Sequence, residues 1–286
     1  MPPTAQLMDG TALSRKLSVE TAARVERFTA QTGRPPCLAL VLVGEDFSSV
    51  TYVRMKQARC RDVGIESRLV SLPTEARTAV VVSMIRKLSL DVTVDGIFLH
   101  YPLPEHVDQR AAFEAISPEK DVDGVTIHSF TAMAFDLPGF APCTPTAIIR
   151  LLDAYEVNIE GLHAVVIGRS AVLGKLVGML LLARNATVSY CHSHTRDLAA
   201  IVGTADIVIA NVGKPRFVRG SWLKAGAVVI DASYYHGGVG DVALDEAMAT
   251  ASLIAPVPGG VGPMTIAVLL EQTVAAAERA VPLANS

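Results

Sequence analysis

In Ala164-Val165-Val166-Ile167-Gly168-Arg169-Ser170-Ala171-Val172-Leu173-Gly174, four apolar residues run into a glycine and then into a segment of helical spacing. A short run of this kind, rich in β-branched residues, suits a strand buried on both faces, and the polar turn after it feeds a helix expected over 172–184. One strand–turn–helix unit needs neighbours. Similar short runs at 187–191, 207–211 and 227–231, with a helix at 198–202, make a mainly parallel sheet with helical crossovers. The first half alternates in the same way, with strands expected at 38–43, 68–72 and 94–99 and helices at 13–31, 50–62 and 78–88. The expectation is an α/β protein of two domains. Three prolines and a glycine at 138–145, followed by a helix at 146–155, place the boundary there and give domains 1–143 and 144–263. An alanine-rich helix over 264–280 follows, and 264–286 is expected to pack back on the first domain.

The 286 residues carry 25 Lys and Arg against 28 Asp and Glu, a net charge of −3, and 5% aromatic residues. Without a basic run, this composition argues against a nucleic-acid binder that works by phosphate neutralisation and base stacking. No apolar run is long enough for a membrane span and the start lacks a secretory pattern, so a soluble cytoplasmic protein is expected. The four cysteines form no Cys-x-x-Cys pair and the seven histidines no ligand spacing, so no metal site is expected.

The Gly168 turn opens a helix, with Gly174 a turn later, and backbone N–H groups at a helix start suit a phosphate. An ordinary tight turn would read the same. The next strand ends in Cys191-His192-Ser193-His194-Thr195, with no acid to hold ribose hydroxyls. Arg169 and Ser193 instead suit a ribose 2′-phosphate, which favours NADP over NAD. Tyr52 and Lys56 share a helix face, and Lys120-Asp121-Val122-Asp123-Gly124 places two carboxylates in one loop. An exposed Tyr/Lys pair and a solvated turn are the plain alternatives. The run 256–264 holds three prolines and three glycines before a helix, and such a loop brings bare backbone close to a ligand.

Taken in order, Tyr52-Val53-Arg54-Met55-Lys56, Pro102-Leu103-Pro104, Lys120-Asp121-Val122-Asp123-Gly124, Pro142-Cys143-Thr144-Pro145, Gly168-Arg169-Ser170, Cys191-His192-Ser193 and 256–265 resemble the bifunctional methylenetetrahydrofolate dehydrogenase/cyclohydrolase family. The likeness spans residues 8–280. It implies a folate-side catalytic domain, a Rossmann-like NADP domain, a cleft between them and a homodimer acting in one-carbon metabolism. Two reactions are implied: oxidation of methylenetetrahydrofolate to the methenyl form with NADP, then hydrolysis to formyltetrahydrofolate.

The resemblance assigns catalysis to Lys56, His100, Asp123 and Tyr52, with Lys56 as general acid/base. Substrate binding would also involve Ser49, Leu99, Tyr101, Pro258, Gly259, Gly260 and Val261. The cofactor would be held by Gly168, Arg169, Ser170, Gly174, Ser193 and Tyr234. Three departures stand out. His100-Tyr101 replaces the family's Gln-Leu, Leu176 replaces a proline, and Ala232-Ser233-Tyr234 replaces Val-Gly-Ile beside the nicotinamide half. A histidine accepts a hydrogen bond only through an unprotonated ring nitrogen, so the cyclohydrolase step is expected to be weakened. Two other readings fit the residues. One is an NADP-dependent two-domain dehydrogenase of amino or hydroxy acids, with Lys56 polarising a carboxylate or carbonyl. The other is a non-catalytic paralogue that binds folate or NADP.

Overall fold

The computed structural model describes residues 4–45, 47–235 and 237–281. In chain order its elements begin with β1 (Gln6–Leu7), α1 (Gly10–Thr32), β2 (Cys37–Val43), α2 (Phe47–Asp62), β3 (Glu66–Leu72), α3 (Thr78–Leu90), β4 (Gly96–Leu99), α4 (Gln109–Phe113), α5 (Ile127–Ala134) and α6 (Cys143–Ala154). There follow β5 (His163–Ile167), α7 (Gly174–Ala183), β6 (Thr187–Cys191), α8 (Leu198–Val202), β7 (Ile207–Ala210), β8 (Val228–Asp231), α9 (Leu244–Ala247), β9 (Leu253–Ala255) and α10 (Val261–Ala280). They form two compact units. The first is Lys16–Cys143 with the chain from Ile266 onward, and the second is Thr144–Thr265 with the chain up to Arg15.

The first unit holds a three-stranded parallel sheet in the order β3-β2-β4. β2, Cys-Leu-Ala-Leu-Val-Leu-Val, is buried at every residue because it is the central strand, whereas the edge strand β3 keeps partly exposed side chains. α3 buries Val81, Ile85 and Leu88, the one-face spacing of an amphipathic helix. Its last carbonyls are capped by Lys120, whose Nζ donates to Leu88 O (3.2 Å) and Asp91 O (2.7 Å). α10 fastens the unit from its far end. Gln272 Nε2 donates to Val122 O (2.8 Å) and Ala141 O (3.0 Å), and Glu278 pairs with Arg24 at 2.6 Å.

The second unit holds a six-stranded parallel sheet in the order β1-β9-β8-β7-β5-β6. The strand order reverses beside β5, between β6 and β7, and there the turn after β5 meets the loop after β7. A Cβ on Gly168 would stand 2.2 Å from Asn211 O, and φ there is +135°, so glycine is required twice over. Residues 1–15 are expected in the other domain. The structure instead pairs Gln6 with Leu253 and Leu7 with Ile254, which carries β1 into this sheet. Two residues of strand leave no periodicity to read, and β9, with three, leaves almost none.

Candidate active site

α2 presents Tyr52 and Lys56 one turn apart. The Lys56 ammonium lies 5.7 Å from the centre of the Tyr52 ring and 4.4 Å from that of Phe98. At 8% exposure Lys56 is no solvated surface lysine. Burial pulls its pKa below the ordinary lysine range, and the negative charge of Asp123 opposes that pull. An ammonium out of water keeps favourable contacts with the faces of aromatic rings, which stabilise it without accepting its proton.

β4 and the turn after it supply the opposite wall. Leu99 is buried in the strand, His100 N donates to Val41 O (2.8 Å), and the Tyr101–Pro102 bond is cis. The Phe98 ring is 6.3 Å from His100 and 6.4 Å from Tyr101, and Tyr101 meets Phe113 edge-on at 5.4 Å. Phe98 and His100 share a face because side chains alternate along a strand. That alternation was the signal that could have found Phe98.

The two acids of the 120–124 loop divide their roles, and neither sits in a solvated turn. Asp121, wholly buried, accepts from Val125 N (3.0 Å), Thr126 N (2.9 Å) and Ser129 Oγ (2.6 Å), which ties down the start of α5. The Tyr101 hydroxyl and the Cys143 thiol favour the charged form of Asp123, yet its buried Oδ2 has no hydrogen-bond partner. Burial, then the charge of Asp121, pushes its carboxyl up to about 7, against the pull of Lys56 and those donors. An unsatisfied buried carboxylate oxygen is costly unless a ligand donor completes it. Gly124 makes this placement possible: with φ at +67°, a Cβ there would stand 2.6 Å from Pro142 N. Cys143 Sγ donates to Val122 O (3.1 Å) and receives Gln272 Nε2 (3.2 Å), so a thiol and a helix amide brace the acid's loop. Gln272 lies about 150 residues away in sequence and gave no local sign.

Tyr52, Lys56, Leu99, His100, Tyr101 and Asp123 thus all belong to the first unit. The Ser49 side chain lies outside the described residues. The remaining expected site residues are in the second unit. Pro258, Gly259 and Gly260 form a turn after β9 that contains the cis Val257–Pro258 bond, and Val261 opens α10. Gly259 O accepts Thr11 N (3.0 Å), and a Cβ on Gly10 would stand 1.9 Å from Gly260 O, so this loop is held backbone to backbone.

On the sheet, β5 pairs with β6 in the register Ile167–Cys191. Arg169 and Ser193 each follow by two residues, and both are exposed. They therefore stand at neighbouring strand ends, a guanidinium and a hydroxyl suited to one phosphate. Ser170 Oγ accepts Gly174 N (3.1 Å) at the entrance to α7, and Tyr234 is exposed beyond β8. This donor set fits a phosphorylated dinucleotide at the switch point of a parallel sheet. Among the described residues no group of His, Cys, Asp and Glu could hold a metal ion, and no helix is long and apolar enough to cross a membrane.

A unit whose parallel sheet has a glycine turn at its switch point, in one chain with a unit that buries a lysine and a carboxyl, is the make-up of a two-domain dinucleotide-dependent oxidoreductase. Residues 8–123 match the tetrahydrofolate dehydrogenase/cyclohydrolase catalytic domain, and residues 142–281 match the NAD(P)-binding domain of the same family. The chain belongs to the tetrahydrofolate dehydrogenase/cyclohydrolase family. It is 61% identical over 274 residues to bifunctional protein FolD 1 of Streptomyces avermitilis, covering 96% of each chain. To FolD 1 of Salinispora arenicola it is 63% identical over 276 residues, covering 96% of this chain and 99% of that one. Among solved structures it is similar to the Campylobacter jejuni FolD, with a TM-score of 0.94 at 38% identity over 97% of this chain and all of that one. It is also similar to the Trypanosoma brucei enzyme complexed with NADP and an inhibitor, with a TM-score of 0.92 at 34% identity over 97% and 98% of the two chains.

Proposed function

We infer that this enzyme oxidises methylenetetrahydrofolate with NADP and hydrolyses the methenyl product to formyltetrahydrofolate, and that the first unit binds the folate. The observation that carries the residue assignment is the buried Lys56, held against two aromatic rings with Asp123 beside it and one oxygen of that acid open. When bound, NADP supplies a hydride acceptor. Loss of hydride leaves a cation shared between two folate nitrogens, so the first step asks the protein for orientation. Tyr52 offers a flat face to the folate ring system, and Asp123 accepts hydrogen bonds from the pterin amino and ring N–H groups. The second step needs protons moved around an attacking water. Lys56, its pKa lowered by burial, takes and returns them. We further propose a cytoplasmic homodimer, which sedimentation of the purified enzyme would reveal as twice the chain mass.

A single assay that follows both NADPH formation and disappearance of the methenyl absorbance tests the activity. Reduction of NADP with methylenetetrahydrofolate, and none with amino or hydroxy acids, is the expected result. Tight ligand binding without turnover would refute it.

Arg169 and Ser193 carry the choice of NADP. Arg169→Ala removes a charge-assisted contact worth about 1.5–3 kcal/mol, which lowers affinity for NADP by roughly one to two decades and leaves NAD nearly untouched. An unchanged NADP-to-NAD preference would refute the assignment.

The His100 ring lies 6.3 Å from that of Phe98, over which the Lys56 ammonium stands at 4.4 Å. Its ring offers at most one acceptor nitrogen where an amide offers a carbonyl with two lone pairs, so the cyclohydrolase step is expected to be the weaker of the two. His100→Gln supplies a neutral carbonyl acceptor. It is expected to raise the cyclohydrolase-to-dehydrogenase ratio. If the ratio stays as in the parent enzyme, His100 is only a wall of the site.

A further inference from the structure

Beyond the carboxyl ends of β7 and β8 lies a buried polar assembly that the site described above does not use. Asp241, fully buried, accepts hydrogen bonds from three successive backbone N–H groups: Val212, Gly213 (3.2 Å) and Lys214 (2.9 Å). It also accepts from Ser233 Oγ (2.7 Å) and Tyr235 Oη (3.0 Å). Asp231, the last residue of β8, accepts from Ser233 N (3.2 Å), Asp241 N (3.0 Å) and Val242 N (2.8 Å). Gly240 leaves room for this, since a Cβ there would stand 2.0 Å from Asp231 Oδ2. Two buried acids thus lace together three segments: 211–214, 231–235 and 240–242.

Consecutive N–H groups converging on one point form an anion-binding concavity. The chain fills this one with its own carboxylate, so it is no ligand site. It fixes the backbone after β7. The arrangement is also costly. Burial raises the Asp231 carboxyl to about 6, with Asp241 adding to the effect, and apolar packing would serve stability as well or better. Two neighbouring buried acids are therefore better explained by what they hold in place.

Topology says what that is. A dinucleotide lies across the switch point, one half on each side. The Gly168 turn takes the pyrophosphate, and Arg169 and Ser193 take the 2′-phosphate on the β6 side, so the other half must rest over the ends of β7 and β8. We propose that Asp241, with Ser233 and Tyr235, is a positioning assembly for the nicotinamide half of NADP: the carboxylate sets the 211–214 loop, and Ser233 locks the 231–235 loop to it. Ser233 is one of the residues at which this chain departs from the family run. The inference rests on the NADP reading of the Gly168 turn.

The test uses the full-length enzyme with Ser233→Ala, Ser233→Thr and Tyr235→Phe, and with Asp241→Asn where it folds. Three quantities are measured on each: affinity for adenosine 2′,5′-bisphosphate, which lacks the nicotinamide half; dehydrogenase kcat and KM for NADP; and cyclohydrolase turnover of methenyltetrahydrofolate. Ser233→Ala is expected to lower dehydrogenase kcat by about ten- to a hundredfold, because the acceptor ring is misplaced. Bisphosphate affinity and hydrolysis should hold, and Ser233→Thr, which keeps the hydroxyl, should restore most of the rate. Unchanged dehydrogenase kinetics in Ser233→Ala and Tyr235→Phe would overturn the proposal. So would a parallel fall in all three quantities, which is the mark of a merely structural role. Should the parent enzyme fail to bind the bisphosphate, the cofactor placement falls first and the proposal with it.

Discussion

Lys56→Met removes the hydrolytic reaction and leaves much of the hydride transfer. Methionine keeps the length and apolar stem of the lysine, so packing against Tyr52 and Phe98 survives and only the proton-carrying nitrogen is lost. General acid–base catalysis contributes about 10²–10⁴-fold, and cyclohydrolase kcat should fall by that range. Departure of a hydride needs no proton acceptor, so the dehydrogenase should lose far less. Stopped-flow measurement of the two steps in one sample gives the comparison directly. Equal losses in both would mean that Lys56 only holds the substrate.

Asp123→Asn has the opposite pattern, weakening both reactions together. Pterin N–H groups donate to a carboxylate, and each charge-assisted bond is worth about 1.5–3 kcal/mol, so two of them amount to roughly 10²–10⁴ in kcat/KM for either reaction. With its carboxyl near 7, Asp123 also sets a pH dependence: protonation removes the acceptor, and folate affinity should fall as pH drops through 7. Stability runs the other way. A carboxyl whose folded pKa exceeds its unfolded one favours folding at low pH, and that contribution is lost as pH rises through about 7. Asp123→Asn should therefore melt higher than the parent at pH 8 while binding folate poorly, and its binding should no longer depend on pH near 7. A variant that binds folate normally, or that melts lower at pH 8, would contradict this account.

Most of the fold could be read from local signals. β2, β5, β7 and β8 are runs of β-branched and apolar residues, nearly all buried, whose composition allows little else, and α3 shows one-face spacing. What escaped was short or non-local. β1 and β9 make a strand pair only because chain ends far apart in sequence meet. The site divides in the same way. Tyr52 and Lys56 were legible as a helical pair, and Arg169 with Ser193 as tips of adjacent strands. Nothing local separates Asp121, consumed by Val125, Thr126 and Ser129 at the approach to α5, from Asp123, which keeps an unpartnered oxygen, because the difference lies in Gly124 and in the donors each acid meets. The Asp241 assembly was invisible for a related reason, since its N–H donors lie 27 to 29 residues away.

The partner of β1 is the last strand of the chain to be made. Gln6 and Leu7 leave the ribosome early, but Leu253 and Ile254 follow only after ~250 more residues, roughly 10–50 s later at ordinary elongation rates. The first unit waits longer still, because Gln272 and Glu278, which fasten the 120s loop and α1, come from the final helix. Neither core closes until residues 253–278 have been made, so the usual order of a finished leading domain followed by a trailing one does not hold between these two units. The apolar strands made before then must be kept out of trouble in the meantime, and loss of residues 253–278 would cost both units at once.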